Sequence, residues 1–159
     1  MHLQFEENIR KHGFKVWKDV EADGNCFFHS VVYILNALQV NKNGLTHKSL
    51  RKHACEELRK NIGQYLNFID RDPYEYLEVG TYVFRYYDIQ AMAQDGEWAD
   101  HVIIQVVAEL LGWPILLINS DKDNELVFLK PKELDSSQGR TINLGHLNNE
   151  HYIALTRNL

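Results

Sequence analysis

The chain has 159 residues, 45% hydrophobic and 25% charged, with 17 Lys and Arg against 22 Asp and Glu. That length and mixture predict one globular domain over residues 1–159 and exclude a disordered chain or a multidomain enzyme. The formal charge of −5 offers no basic stripe for phosphates, so no nucleic-acid partner is expected. Two cysteines, Cys26 and Cys55, are too few for the disulfide framework of a small secreted fold. The first residues lack the apolar stretch of a signal peptide, and the longest apolar run, residues 113–118, is far too short to span a bilayer. A soluble, cytoplasmic monomer without a membrane attachment is expected.

Residues 3–11 have the spacing of a short amphipathic helix, stopped by Gly13. Phe14, Val16 and Val20 mark a short extended segment. Asp23-Gly24-Asn25 is turn chemistry. Residues 26–38 are apolar on nearly every side, the pattern of a buried helix. Thr46 can cap a polar amphipathic helix over residues 47–62. On it Cys55 shares helical spacing with Leu50, Leu58 and Ile62 and reads as structural. Asp72-Pro73 has the form of an N-cap followed by a first-turn proline. A helix over residues 82–93 would carry Tyr82, Phe84, Tyr86 and Tyr87. Residues 99–111 are helical again, ended by Gly112. Residues 115–118, 126–129, 141–147 and 152–156 read as strands, with a tight turn over 121–124. Helices first and strands later predict an α+β domain, its helices packed around a small, mostly antiparallel central sheet.

The most informative segment is Asp23-Gly24-Asn25-Cys26, which places a thiol between a tight turn and a buried helix. A helix N-terminus carries partial positive charge and unpaired N–H groups. That setting favours thiolate and offers donors to an oxyanion. Gly24 permits positive φ and close approach of a substrate backbone. A nucleophilic cysteine needs a histidine base brought to it by the fold. Of eight histidines, His2, His12, His47 and His53 lie on polar faces. His29 could face either way, His101 sits on a helix and His146 lies within a strand. His151 opens the last strand beside a polar turn, the best position for a base. A rival is zinc: Cys26-x-x-His29 has ligand spacing, and His53-Ala54-Cys55 could add to it. The second pair is not a typical spacing and a chain of this size needs no metal to fold, so neither a metal nor another cofactor is expected.

Asp23-Gly24-Asn25-Cys26, followed by an aromatic and a small polar residue, resembles the nucleophile motif of the ovarian tumour (OTU) family of cysteine proteases. Gly96-Glu97-Trp98-Ala99-Asp100, a helix with Gln105 and Ala108, and Trp113-Pro114-Ile115 resemble the family's central segment. Ile142-Asn143-Leu144 through His151-Tyr152 resembles its closing strands, where a His-aromatic pair carries the base. The three segments occur in order across residues 14–157.

The resemblance implies a deubiquitinase that hydrolyses the isopeptide bond after the C-terminal glycine of ubiquitin, polyubiquitin or a ubiquitin-like protein. Cys26 would be the nucleophile and His151 its base, holding the thiolate as an ion pair. Amides of Asp23, Gly24 and Cys26 would form the oxyanion hole, with Trp98 and Tyr152 walling a narrow tunnel for two glycines. Many family members place Asp or Asn two residues after the histidine, where this chain has Ile153. The residue orienting His151 is therefore sought among Asn119 first, then Asp23, then Asp19. Ile153 is also the one feature that favours the alternative, a catalytically weakened ubiquitin-binding module. The sequence leaves open whether the setting is a cell's own cytoplasm or the cytosol of a host.

Overall fold

A computed structural model describes residues 3–65, 68, 89–121, 125–133, 139–148 and 150–158. In chain order the elements are α1 (Leu3–Lys11), β1 (Phe14–Lys18), α2 (Cys26–Ala37), α3 (His47–Lys60), α4 (Ile62–Tyr65) and α5 (Ile89–Met92). They are followed by α6 (His101–Leu111), β2 (Ile115–Asn119), β3 (Leu126–Leu129), β4 (Ile142–Leu147) and β5 (His151–Arg157). Asp72-Pro73, the four aromatic residues from Tyr82 to Tyr87, and all but the end of the expected 82–93 helix lie outside the described residues.

The local signals at the helix ends work as their chemistry dictates. Thr46 Oγ1 accepts from the Ser49 amide at 3.1 Å while Ser49 Oγ accepts from the Thr46 amide at 2.8 Å, a reciprocal capping box on α3. Asp100 caps α6 by accepting from the Ile103 amide at 2.9 Å. Gly112 ends that helix in the left-handed region at φ 69°.

The strands form one sheet in the order β1-β5-β4-β2-β3. β1 pairs antiparallel with β5, β5 with β4, and β2 with β3, while β2 and β4 run parallel. The sheet is thus mixed rather than purely antiparallel. From β2 to β5 consecutive strands alternate in direction, but β4 inserts on the far side of β2 instead of beside β3, so two strands of the same direction meet. The extended segment after α1 becomes the fifth strand, β1, at the edge next to β5.

Side chains alternate across the sheet with the period of two that strand geometry imposes. Tyr152 and Ala154 of β5, with Leu144 of β4 and Leu117 of β2, join the main core built with α2, α3 and α6. Ile153 and Leu155 point the other way, into a second cluster with Phe14, Ile118 and Leu147, covered by Phe5 and Ile9 of α1. Gly145 of β4 lies directly under the Phe5 ring, where a Cβ would overlap it. No helix among the described residues is long and apolar enough to cross a membrane.

The edge strand β1 is irregular at its C-terminal end. Val16 pairs with Leu155, but Lys18, not Trp17, pairs with Ala154. Trp17 is therefore an extra residue in β1, a bulge that re-aims the chain as it leaves the sheet towards Asp19.

Candidate active site

The turn before α2 is built by its own polar groups. The Asp23 carboxylate accepts from the Asn25 amide at 3.0 Å, and the Asp23 carbonyl accepts from the Cys26 amide at 3.2 Å. Asp23's own amide donates to the Glu21 carbonyl at 2.9 Å. The Asp23 carboxylate thus closes the turn before α2, and the His151 ring meets Asp19 instead. Gly24 does not adopt positive φ, contrary to expectation. Its lack of a side chain serves a different contact, because a Cβ there would overlap the Gly96 carbonyl oxygen.

Cys26 begins α2 and is 1% exposed. The helix packs on β5, which brings the sulfur against backbone at the far end of the chain. The Tyr152 amide donates to Cys26 Sγ at 3.3 Å, and Sγ lies 3.8 Å from the Glu150 carbonyl oxygen, to which the thiol donates. These two contacts flank His151 on either side. Burial raises the thiol above an ordinary cysteine; the Tyr152 amide opposes this, the Asp23 carboxylate adds to it, and the Phe27 and Cys26 amides oppose it. The amides of the helix start do act in the direction expected of them, towards thiolate. Desolvation outweighs them, so the net shift of the thiol is upward.

His151 opens β5. Its Nε2 lies 2.9 Å from Asp19 Oδ1, and its Nδ1 is buried without a hydrogen-bond partner among the described residues. Asp19 follows β1 directly, and the antiparallel pairing of β1 with β5 carries it to the start of β5. A carboxylate accepts only, so Nε2 carries the ring proton and Nδ1 the lone pair.

The structure moves Asn119 away from the role expected first for it. Its strand, β2, neighbours β4 rather than β5, and Asn119 stands opposite His146. Its Oδ1 lies 3.1 Å from His146 Nδ1. His146 in turn stands opposite Tyr152, and their rings stack at 4.1 Å with 6° between planes. Asn119, His146 and Tyr152 form one row across the sheet. Ile153 is 0% exposed in the α1 cluster, so the position two residues after the histidine belongs to the core. Sequence reasoning did not single out His146. The available signal was its spacing of two from Leu144, which puts an imidazole on the face otherwise given to the apolar core.

Trp98 and Tyr152 line one cavity, a cleft of about 430 Å³ that also borders Asp100, His101, Asn119 and His146. Trp98 is partly exposed, while the Tyr152 ring is buried between His146 and an edge contact with Phe27. The residues weighed as zinc ligands diverge. His29 pairs with His47 at 4.0 Å between ring centroids, so His47 is not the solvated residue expected. On α3, Cys55 is buried while His53 is exposed.

The profile described as "OTU-like cysteine protease" matches residues 21–152. Ovarian tumour domain-containing deubiquitinating enzyme 11 of Arabidopsis thaliana is 30% identical over 112 residues, covering 70% of this chain and 39% of that protein. Protein 232R of Invertebrate iridescent virus 3 is 29% identical over 158 residues, covering 97% of this chain and 17% of the viral protein. The chain therefore spans well under half the length of these relatives. Among solved structures, the OTU domain protease of Farallon virus superposes with a TM-score of 0.65 at 19% identity, covering 94% of this chain and 87% of the other. The OTUD1 OTU domain gives 0.61 at 22% identity, covering 96% and 92%. A profile match over most of the chain, with this fold beneath it, places the protein in the family of OTU-like cysteine proteases.

Proposed function

We propose that residues 1–159 form one catalytic domain, a cysteine-type deubiquitinating peptidase that hydrolyses isopeptide bonds after the C-terminal glycine of ubiquitin or a ubiquitin-like protein. The observation that carries this reading is that Cys26 Sγ is held by backbone on both sides of His151, a residue with one buried ring nitrogen that has no hydrogen-bond partner among the described residues and the other bound to Asp19. The relatives point to the same substrate class: the Arabidopsis protein is named as a deubiquitinating enzyme, and otu2 of fission yeast, 28% identical over 104 residues, as a ubiquitin thioesterase. One solved OTU domain of similar fold is in complex with ubiquitin. The free thiols of Cys26 and Cys55 suit a reducing, cytoplasmic setting.

The mechanism follows from the proton positions. His151 Nδ1 takes the Cys26 proton as the sulfur turns from the Glu150 carbonyl, and the sulfur attacks the glycine carbonyl carbon. The resting thiol makes this a general-base step rather than attack by a pre-formed ion pair. The carbonyl oxygen becomes an oxyanion at the start of α2, where Gly24 N–H and Cys26 N–H act as donors, the latter leaving its 3.2 Å bond to Asp23. Nδ1–H then protonates the departing lysine amine as the C–N bond breaks, leaving a thioester. Water, deprotonated by the same nitrogen, attacks the thioester; the carboxylate leaves and the thiol is restored. Asp19 accepts Nε2–H throughout, fixing the tautomer and stabilising the imidazolium. The cleft beside Trp98 and Tyr152 receives the substrate tail.

Ubiquitin-chain cleavage followed by gel electrophoresis tests the assignment. Cys26→Ala is expected to abolish cleavage and Cys55→Ala to retain it; activity that disappears only with Cys55 would reject the nucleophile. For the orienting group, Asp19→Ala should lower kcat about 10- to 100-fold, the equivalent of one charge-assisted hydrogen bond. Asn119→Ala should cost less, because its amide serves His146; the reverse order in steady-state kinetics would return the role to Asn119. Finally, iodoacetamide labelling of the free Cys26 should rise with pH, its midpoint above the ordinary thiol value of about 8.5. The sign follows from burial: the neutral thiol is the favoured folded form, so its contribution to stability is present below the unfolded pKa and is lost as pH climbs through the raised one. A flat profile with full labelling in mild acid would show a pre-formed thiolate instead.

A further inference from the structure

Arg51 lies on the buried face of α3, among Leu50, Ala54, Cys55 and Leu58, and is 3% exposed. Its guanidinium meets three segments of the chain at once. Nη1 donates to the Met92 carbonyl at 2.7 Å. Nη2 faces the Glu97 carbonyl at 2.7 Å, Asn25 Oδ1 at 2.8 Å and the Gly24 carbonyl at 3.1 Å. Its carbon lies 4.3 Å from the centre of the Phe28 ring. Among the described residues no carboxylate is within ion-pair distance of it.

Burying a guanidinium among dipoles, without a paired carboxylate, is costly compared with an apolar side chain of similar volume. A core position that needed only packing would be filled more favourably by leucine or methionine. What the arginine adds is direction. The Gly24 carbonyl is held by Arg51 while the Asn25 amide of the same peptide unit is held by Asp23 Oδ1, so that peptide plane is pinned at both ends. The Asn25 side chain extends the anchorage. Its Oδ1 also accepts from the Gly96 amide at 2.9 Å, and its Nδ2 donates to Asp95 at 3.3 Å. Gly24 and Gly96 are in backbone contact there, with no space for a Cβ on Gly24.

We propose that Arg51 is a positioning residue for the reaction: it fixes the Gly24–Asn25 peptide and the segment leading to Trp98 relative to one another, and so sets the direction of the peptides on either side, which carry the Gly24 and Cys26 N–H donors to the oxyanion. This rests on the deubiquitinase reading for its catalytic consequence, though not for the clamp itself. The hydrogen bonds of Arg51 go to Gly24, Asn25, Met92 and Glu97, not to the thiol. Arg51 acts through Gly24 and Asn25, and its loss therefore affects acyl transfer more than ionisation of the sulfur.

The test compares the 159-residue protein with Arg51→Lys, Asn25→Ala and the double variant. It measures melting temperature, amide hydrogen exchange over residues 23–27, iodoacetamide labelling of Cys26, and kcat and KM on ubiquitin bearing a C-terminal fluorogenic amide. Arg51→Lys is expected to stay folded, exchange faster at Asn25 and Cys26, and lose kcat by about 10- to 100-fold with KM nearly unchanged. The labelling rate of Cys26 should stay near the wild-type value. Asn25→Ala should show the same pattern to a smaller degree, and the double variant should be little worse than Arg51→Lys, because both changes act on one unit. A folded Arg51→Lys with wild-type exchange or kcat overturns the proposal. So does a loss of kcat matched by equal losses of labelling and folded fraction, the mark of a purely structural residue. If Arg51→Lys fails to fold, Asn25→Ala decides alone: faster local exchange with lower kcat supports the clamp, and wild-type values for both refute it. If the wild-type protein itself leaves the ubiquitin substrate uncut, the functional reading fails, and the exchange measurement still decides the clamp.

Discussion

A single backbone N–H joins the two ends of this protein at the atom where chemistry would occur. The Tyr152 amide donates to Cys26 Sγ at 3.3 Å across a sequence separation of 126 residues. For that contact to exist, α2 must lie on β5, and β5 must be held in register by a strand on each side. The thiol, His151 and Asp19 are therefore assembled by the sheet rather than by any local motif. The packing that brings this contact also desolvates the sulfur. Pressed between a helix start and a strand backbone, it loses more hydration than the Tyr152 amide and the other nearby amides replace, which pushes the thiol up.

The two edges of β5 divide the labour. On one side β1 delivers Asp19 to His151, aided by the bulge at Trp17. On the other, β4 delivers His146 beneath the Tyr152 ring, and β2 supplies Asn119 to hold that imidazole. Polar groups thus enter the sheet from both directions, but among the described residues only Asp19 is hydrogen-bonded to the His151 ring. The core side chain of Ile153 supports this arrangement from below, filling the second cluster against Phe5 and Gly145. A carboxylate at that position would be a buried charge among apolar side chains, whereas Asp19, just after β1, meets the ring from a more exposed position.

Much of this was legible in the sequence. The capping pattern at Thr46, the αL glycine at Gly112 and the alternating strands carry local signals whose physics does not depend on distant partners. Motif and position singled out Cys26 and His151, and the backbone on either side of His151 does meet the Cys26 sulfur. The errors fall where the answer needed strand order. Asn119 ranked above Asp19 because its strand was expected near that of His151, whereas β4 lies between them. The short run Phe14–Lys18 gave no hint of its partner or its bulge. Gly24 suggested backbone freedom, but its reason lies in Gly96, 72 residues away in a segment that local turn chemistry cannot see. Arg51 was hidden in a helix read as amphipathic, although an arginine in register with Leu50, Ala54 and Leu58 is a physical anomaly that sequence spacing alone can reveal.

The most direct measurement of the central claim is reaction of the protein with ubiquitin carrying a thiol-reactive electrophile at its C-terminus, followed by peptide mapping in a mass spectrometer. The account predicts one covalent adduct, on the peptide containing Cys26, formed much more slowly when His151 is replaced by alanine. An adduct on Cys55, or none on a folded protein, would contradict it.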